Sequence, residues 1–316
     1  MDNKLSYLNQ KHTEKHGIFF KINRDKYLLL MLLPGLLYYV IFKYLPMYGV
    51  VIAFKEYNIF RGISASPWVG LEHFMNFFQG SSVYRLIRNT LIINIYGLIF
   101  GFPAPVILAL AFNELKGKYF KKTSQAISLL PHFISTVVIA GLVKNFLSPT
   151  TGIINRAIQL ATGADPINFF MNPQYFRSIY ISMDLWKSVG WGSIIFSAAL
   201  SGIDPSLYEA SFIDGANKLK QAIYITIPGL LPTIVIVLIL RLGDMLDVGA
   251  QSIILLYNPM IYETADVLST YVYRRGLVGA DYSFGAAVDL FQSTIGIILI
   301  VSANYISRRM TESSLW

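Results

Sequence analysis

Residues 204–232 read DPSLYEASFIDGANKLKQAIYITIPGLLP. Asp204-Pro205 is a helix start, because Asp accepts from the unpaired N–H groups of a first turn and Pro suits the first helical position. Leu207, Ala210 and Ile213 recur at roughly helical spacing and give one apolar face, with Glu209 off it. Gly215 supplies the backbone freedom for a break, and Asp214 is placed to cap the next helix. That second helix, carrying Lys218 and Lys220, is expected from Ala216 to about Ile225 and runs into Pro228. The spacing therefore predicts two short polar helices at an angle, residues 204–225, lying between two of the most hydrophobic runs in the chain.

Those runs define the fold class. Of 316 residues, 54% are hydrophobic and only 14% charged, and the mean hydropathy is +0.51. A soluble domain has about a quarter of its residues charged. A helix needs about 20 mainly apolar residues to cross a bilayer. Six segments qualify: Tyr27–Tyr44, Thr90–Phe112, Ala126–Val143, Ile179–Leu200, Ile223–Leu242 and Phe284–Ile306. Pro103 and Pro105 fall inside the second, which membrane helices tolerate. The expected fold is an all-α membrane protein of six transmembrane helices over residues 27–306, with tails at 1–26 and 307–316. The long polar N-terminus, with no small-residue cleavage site close behind it, reads as leading into an uncleaved first span.

Lys and Arg set the orientation. Lys4, Lys11, Lys15, Lys21, Arg24 and Lys26 precede the first span, and Lys116, Lys118, Lys121 and Lys122 crowd the short link after the second. Lys218 and Lys220 come after the fourth, and Arg308 and Arg309 after the sixth. The opposite links spread Lys55, Arg61, Arg85, Arg88, Arg156, Arg177, Arg274 and Arg275 over longer stretches. Both termini and the 204–225 segment are therefore expected in the cytoplasm. The outer links look structured: residues 56–88 carry Trp68, Phe74, Phe77, Phe78 and Tyr84, and SIILLYNPMIYE (252–263) is apolar but too short to span, an interfacial or re-entrant piece. Lys43, near the end of the first span, is expected to snorkel.

Several function classes are excluded. The net charge of +8 sits in membrane-flanking links and not in a nucleic-acid-binding patch. The absence of cysteine removes disulfides, thiol nucleophiles and Cys-ligated metals. His12 and His16 lie in the polar tail and suggest no metal site. There is no believable nucleophile–base constellation, so no catalytic residue and no enzyme is expected, and no G-x-x-x-x-G-K-[ST] phosphate loop occurs.

EASFIDGANKLKQAIYITIP (209–228) resembles the EAA signature of ABC importer permeases. Glu209, Ala210 and Ser211 stand for the first triplet, Asp214, Gly215 and Ala216 for the second, and Ile225, Ile227 and Pro228 for the tail. LLPGLLYYVIFKYLPMYGVVIAFKEYN (32–58) and WVGLEHF (68–74) are similar to the maltose-permease-like carbohydrate importer permeases, in particular the LplB-type first subunits of oligosaccharide and polysaccharide uptake systems. His73 stands where Asn is more usual and is read as structural. The resemblance implies a type I importer permease in the cell membrane, with the 204–225 segment a coupling helix seated on an ABC ATPase dimer. It implies no cofactor on this chain, with ATP and Mg on the ATPase. The implied partners are a second, related permease, a lipid-anchored or periplasmic sugar-binding protein, the carbohydrate and membrane lipid. An ATP-independent secondary transporter or channel for a small polar solute is the competing reading, and a membrane-anchored scaffold or sensor subunit a third.

Ionisable residues inside spans are costly and face the protein interior or a wet cavity. Asp184 and Lys187 are three apart and able to pair, flanked by Trp186 and Trp191; Asp289 and Gln292 share the sixth span; Arg241, Asp244 and Asp247 end the fifth. They either line a path in which rings stack on a sugar and carboxylates take its hydroxyls, or tie spans together. Were the cargo acidic, Lys187, Arg274 and Arg275 are the candidate cations.

Overall fold

The computed structural model describes residues 25–246 and 248–311, so His12, His16, Asp247 and most of the N-terminal tail lie outside the described residues. The chain divides into two compact units, residues 1–51 and 52–316. The described residues of the first belong almost wholly to helix α1 (Lys26–Phe54), whose last residues belong to the second. No described residue up to Val51 is buried, Lys43 included.

The second unit is helical throughout, and among the described residues its only extended pairing is an isolated bridge between Lys55 and Trp68. Besides short turns at Gly62–Ala65 and Pro259–Ile261, its helices are α2 (Glu72–Phe78), α3 (Val83–Glu114), α4 (Lys118–Phe133), α5 (Thr136–Phe146), α6 (Ile153–Thr162), α7 (Pro173–Leu200), α8 (Pro205–Ile213), α9 (Lys218–Gly243), α10 (Ala250–Leu256), α11 (Tyr262–Ala265), α12 (residues 268–278) and α13 (Tyr282–Thr311). Arg308 and Arg309 sit in the last turn of α13.

Proline placement explains which of these helices stay whole. Of the four widened π turns among the described residues, three, at Val40–Tyr44, Gly97–Gly101 and Ala222–Thr226, have a proline two residues further on, Pro46, Pro103 and Pro228; the fourth, Tyr273–Val278, has none. A proline ring collides with the carbonyl four residues before it and cannot donate to it. Here that carbonyl lies inside the widened turn, so α1, α3 and α9 run on unbroken.

Four helices among the described residues, α1, α3, α9 and α13, are long and apolar enough to cross a membrane. The expected single span over 126–143 is instead two helices, α4 and α5, meeting at a bend of 96°. Pro131 weakens the end of α4, Ile134 is extended, and the Ser135 hydroxyl accepts from the Val138 N–H at 3.3 Å to start α5. Counted as one broken span, the pair makes five. The remaining expected span lies in α7, whose 28 residues reach about 42 Å but which carries Arg177, Asp184 and Lys187 and falls short in apolarity. It packs against α3, α4, α5, α9, α10 and α11. Neighbouring helices cover much of it, so its surface need not be as oily as a lipid-facing one.

Three apolar clusters hold this unit together. The largest joins Ile93 of α3, Ile139 of α5, Phe176 and Met183 of α7, and Ile253, Leu256 and Ile261. The segment expected to be interfacial or re-entrant is thus folded inwards, where protein covers its irregular backbone. Phe77, Leu86, Leu268, Phe284 and Val288 form the second cluster, and Ala109, Phe196, Leu200 and Leu230 the third. His73 has a structural place: its Nε2 lies 3.1 Å from the Lys55 carbonyl oxygen, while Lys55 donates to the carbonyls of Ile63 and Ser64.

Helices α4 and α7 approach closely at Gly190. A Cβ added at Gly190 would stand 1.9 Å from the Ser128 carbonyl oxygen, a backbone atom that cannot turn aside. Gly190→Val is therefore expected to force the helices apart and destabilise the unit by about 2 kcal/mol or more. A thermal-shift assay in detergent checks this; an unchanged midpoint would mean the helices do not cross there.

Candidate functional site

Residues 204–226 form the most distinctive polar structure of the chain. Asp204 caps α8, its carboxylate accepting from the Ser206 N–H at 2.9 Å. The Ser206 backbone and hydroxyl donors hold this exposed carboxyl below the usual carboxylate range. At the other end, Gly215 adopts φ +74°. Its N–H donates to the Phe212 carbonyl at 3.0 Å, and the Ala216 N–H donates to the Ser211 carbonyl at 2.9 Å. This double closure is a Schellman motif, which stops a helix with a left-handed residue.

The next helix does not use the expected cap. Asn217, not Asp214, accepts from the Lys220 N–H at 2.9 Å, so α9 begins at Lys218 and not at Ala216. Nor does it end near Ile225: it passes through the π turn and Pro228 to Gly243, making the short second helix and the fifth expected span one rod. Four side chains brace α8 onto that rod. The hydroxyls of Tyr208 and Thr226 are 3.0 Å apart, the Gln221 amide donates to the Ser211 hydroxyl at 3.0 Å, and that hydroxyl donates to the Tyr208 carbonyl at 2.8 Å. Gln221 and Thr226 are buried. Lys218 also reaches Glu114 at the end of α3, at 3.3 Å, an exposed pair of small value.

The outward side of this corner is bare. Glu209 and Ala210 are exposed, as are Asp214 and Pro228. Phe212 is 77% exposed and Ile213 85%, while Leu207, Leu219 and Tyr224 are also exposed. Ala216 is half-buried. Apolar side chains thus flank a carboxylate on a corner held by hydrogen bonds to α9.

The six candidate path residues fall into separate places. Asp184 lines a cavity of about 460 Å³ together with Tyr180, Asn94, Arg241 and Asp244. Asp289 and Gln292 line a second, of about 500 Å³, which also touches Asp244. The Gln292 amide donates to Asp289 at 3.4 Å. Asp184 and Lys187 form no ion pair among the described residues; Lys187 donates instead to the Thr136 hydroxyl, across the α4–α5 bend. Trp191 stacks on His132 with centroids 4.5 Å apart, and Trp186 lines an apolar cavity beside Ile139 and Phe146. Arg241 donates to the Gly97 carbonyl at 3.4 Å.

Sequence reading missed the Tyr208–Gln221–Thr226 brace, because its bonds cross the break between helices. It also missed a knot around Asp266, which is fully buried and bound by Arg274 at 2.9 Å and Arg85 at 3.5 Å. Only the density of arginines in the links between the expected spans hinted at it.

Comparison with known proteins supplies what geometry alone cannot. Residues 91–312 match the family model described as binding-protein-dependent transport system inner membrane component. The chain is 42% identical to Protein LplB of Bacillus subtilis (strain 168), over 93% of this chain and 92% of that protein. It is 40% identical to the polygalacturonan/rhamnogalacturonan transport system permease protein YteP of the same strain, over 97% and 95%. A crystal structure of a bacterial alginate ABC transporter, in complex with an alginate pentasaccharide-bound periplasmic protein, aligns with a TM-score of 0.86 at 43% identity, covering 94% of this chain and 99% of that one.

Proposed function

The chain belongs to the binding-protein-dependent transport system inner membrane component family, and from that premise we infer that it is the permease subunit of an ATP-driven carbohydrate importer in the cell membrane. The relatives' names and the alginate transporter's fold support a carbohydrate, in oligosaccharide form, as cargo. The observation that carries the coupling half of this reading is the rigid, solvent-facing α8–α9 corner, with Glu209 and bare Phe212 and Ile213 on it.

In this reading α1, α3, the bent α4–α5 pair, α7, α9 and α13 are six spans, with both termini and the α8 corner in the cytoplasm. Residues 27–306 form the permease body between short tails. ATP and Mg are bound by a separate ATPase dimer, whose groove takes α8. Closure of that dimer pushes α8, and because α9 is one rod the push reaches the spans without being absorbed in a flexible joint. A binding protein delivers the sugar on the other side. One chain carries one α8, whereas an ATPase dimer offers two grooves, so a second, related permease completes the complex.

The test is reconstitution in vesicles. Uptake of labelled oligosaccharide is expected only when this chain, a second permease, the ATPase, ATP and loaded binding protein are all present, and vanadate is expected to stop it. Uptake that persists without ATP would favour a secondary transporter. An active, symmetric complex of this chain and the ATPase alone would rule out the paired arrangement.

A further inference from the structure

At the end of α7 remote from α8, four guanidinium groups crowd a region poor in carboxylates. Asp266 is fully engaged: Arg274 donates to both its oxygens at 3.1 and 2.9 Å, Arg85 reaches it at 3.5 Å, and the Thr270 hydroxyl donates to it at 3.0 Å. Arg88 and Arg177 form no ion pair among the described residues. Both instead donate to one neutral atom, the side-chain oxygen of Asn89, at 3.4 and 3.0 Å. Asn89 is buried and cannot swing away, because its amide nitrogen donates to the carbonyls of Glu263 and Asp266 at 2.8 and 3.0 Å. Glu263 is exposed and gives Arg88 only its backbone oxygen, at 3.1 Å. The Nε atoms of Arg85, Arg88 and Arg177 are each buried without an acceptor.

Two like charges pressed against a single neutral oxygen, with buried N–H groups left over, is an unfavourable arrangement that an anion would relieve. Arg177 also lines a cavity of about 470 Å³ between α3 and α7, with Tyr96, Phe100, Ser178 and Ser182. Tyr96 and Phe100 lie one turn apart, their rings 6.3 Å between centroids. Aromatic faces suit the C–H side of a sugar ring, serine hydroxyls suit its hydroxyls, and a guanidinium binds a carboxylate through two parallel hydrogen bonds. The other candidate cations are occupied: Lys187 by Thr136, Arg274 by Asp266, and Arg275 by Asp281 at 3.1 Å.

We propose that the cargo is an acidic oligosaccharide of the uronate type, and that Arg177, backed by Arg88, takes one of its carboxylates at the cavity between α3 and α7. This rests on the reading of the chain as a carbohydrate permease. The test uses the complete complex in vesicles, with galacturonate and mannuronate oligomers as probes and the same oligomers with carboxyl groups reduced to alcohols as neutral controls. The acidic oligomers are expected to be carried and the reduced ones not. Arg177→Gln and Arg88→Gln, compared at equal amounts of assembled complex, are each expected to raise the half-saturating concentration of acidic oligomer about tenfold or more, with Arg177→Lys recovering part of the loss.

Carriage of reduced oligomers in preference to acidic ones would overturn the proposal while leaving the transport reading intact. So would unchanged half-saturation in both glutamine variants. Weakened docking of the loaded binding protein, without a change in cargo half-saturation, would assign the arginines to an acidic protein partner and overturn it as well. Failure to carry any carbohydrate with ATP would bring down the transport reading and this proposal with it.

Discussion

Glu209→Lys is expected to abolish ATP-driven uptake while the chain still inserts and accumulates in the membrane. Glu209 stands exposed on α8, beside apolar side chains that nothing within the described chain covers. Once α8 is seated in an ATPase groove, that carboxylate is desolvated and must meet a cation or backbone donors. Removing one partner of a desolvated charge pair costs about 2–5 kcal/mol, and reversing the charge adds repulsion. The expected loss is about a hundredfold or more, since about 1.4 kcal/mol is a factor of ten. The same change should cost the isolated chain almost nothing, because Glu209 makes no ion pair among the described residues. Vesicle uptake normalised to membrane-inserted protein checks this. Normal uptake with normal ATPase co-purification would take Glu209 out of the coupling surface.

Gly215→Val is expected to uncouple ATP hydrolysis from uptake, whereas Gly215→Asn should retain most of both. Nothing lies within 4 Å of a Cβ added at this position, so space is not the issue. Conformation is: φ is +74°, which costs an ordinary L-residue about 1–2 kcal/mol and a β-branched one more. Asn tolerates that region. Valine would dissolve the Schellman closure, let α8 run on or swing, and re-aim Glu209 and Phe212 relative to α9. The measurement is stimulation of ATP hydrolysis by loaded binding protein in the two variants. Equal loss in both would point to side-chain bulk against a partner, and equal retention would show that the corner needs no left-handed residue.

Local features of this corner were legible because their causes are local. Asp204 before a proline could only cap, and a glycine between two helical stretches could only end one of them. The identity of the second cap was not legible. Asp214 and Asn217 have similar capping chemistry, and Asn217 takes the role because the Schellman closure consumes residues through Ala216, so the next helix can start only after it. The third span misled for a different reason. Hydropathy sums apolar character along a window and carries no direction, so the end of α4 and the start of α5 read as one run although they diverge at Ser135. Spacing likewise allowed Asp184 to pair with Lys187, but the α4–α5 bend puts the Thr136 hydroxyl within reach of Lys187. The arginine knot, assembled from α3, α7 and residues 263–274, depends on tertiary contacts that no periodicity encodes.

The central claim is that α8 is the surface through which a separate ATPase moves this chain. The chain has no cysteine, so a cysteine placed at Glu209, Phe212 or Ile213 is its only thiol. Each of these single-cysteine variants is labelled with a maleimide carrying a benzophenone, which inserts into nearby C–H bonds on irradiation and needs no thiol on the partner. The assembled complex is irradiated and the adduct is identified by mass. The account predicts cross-links from all three positions to the ATPase subunit, with yields that change when ATP is bound. A complex that transports normally yet gives no ATPase adduct from any of the three would contradict it.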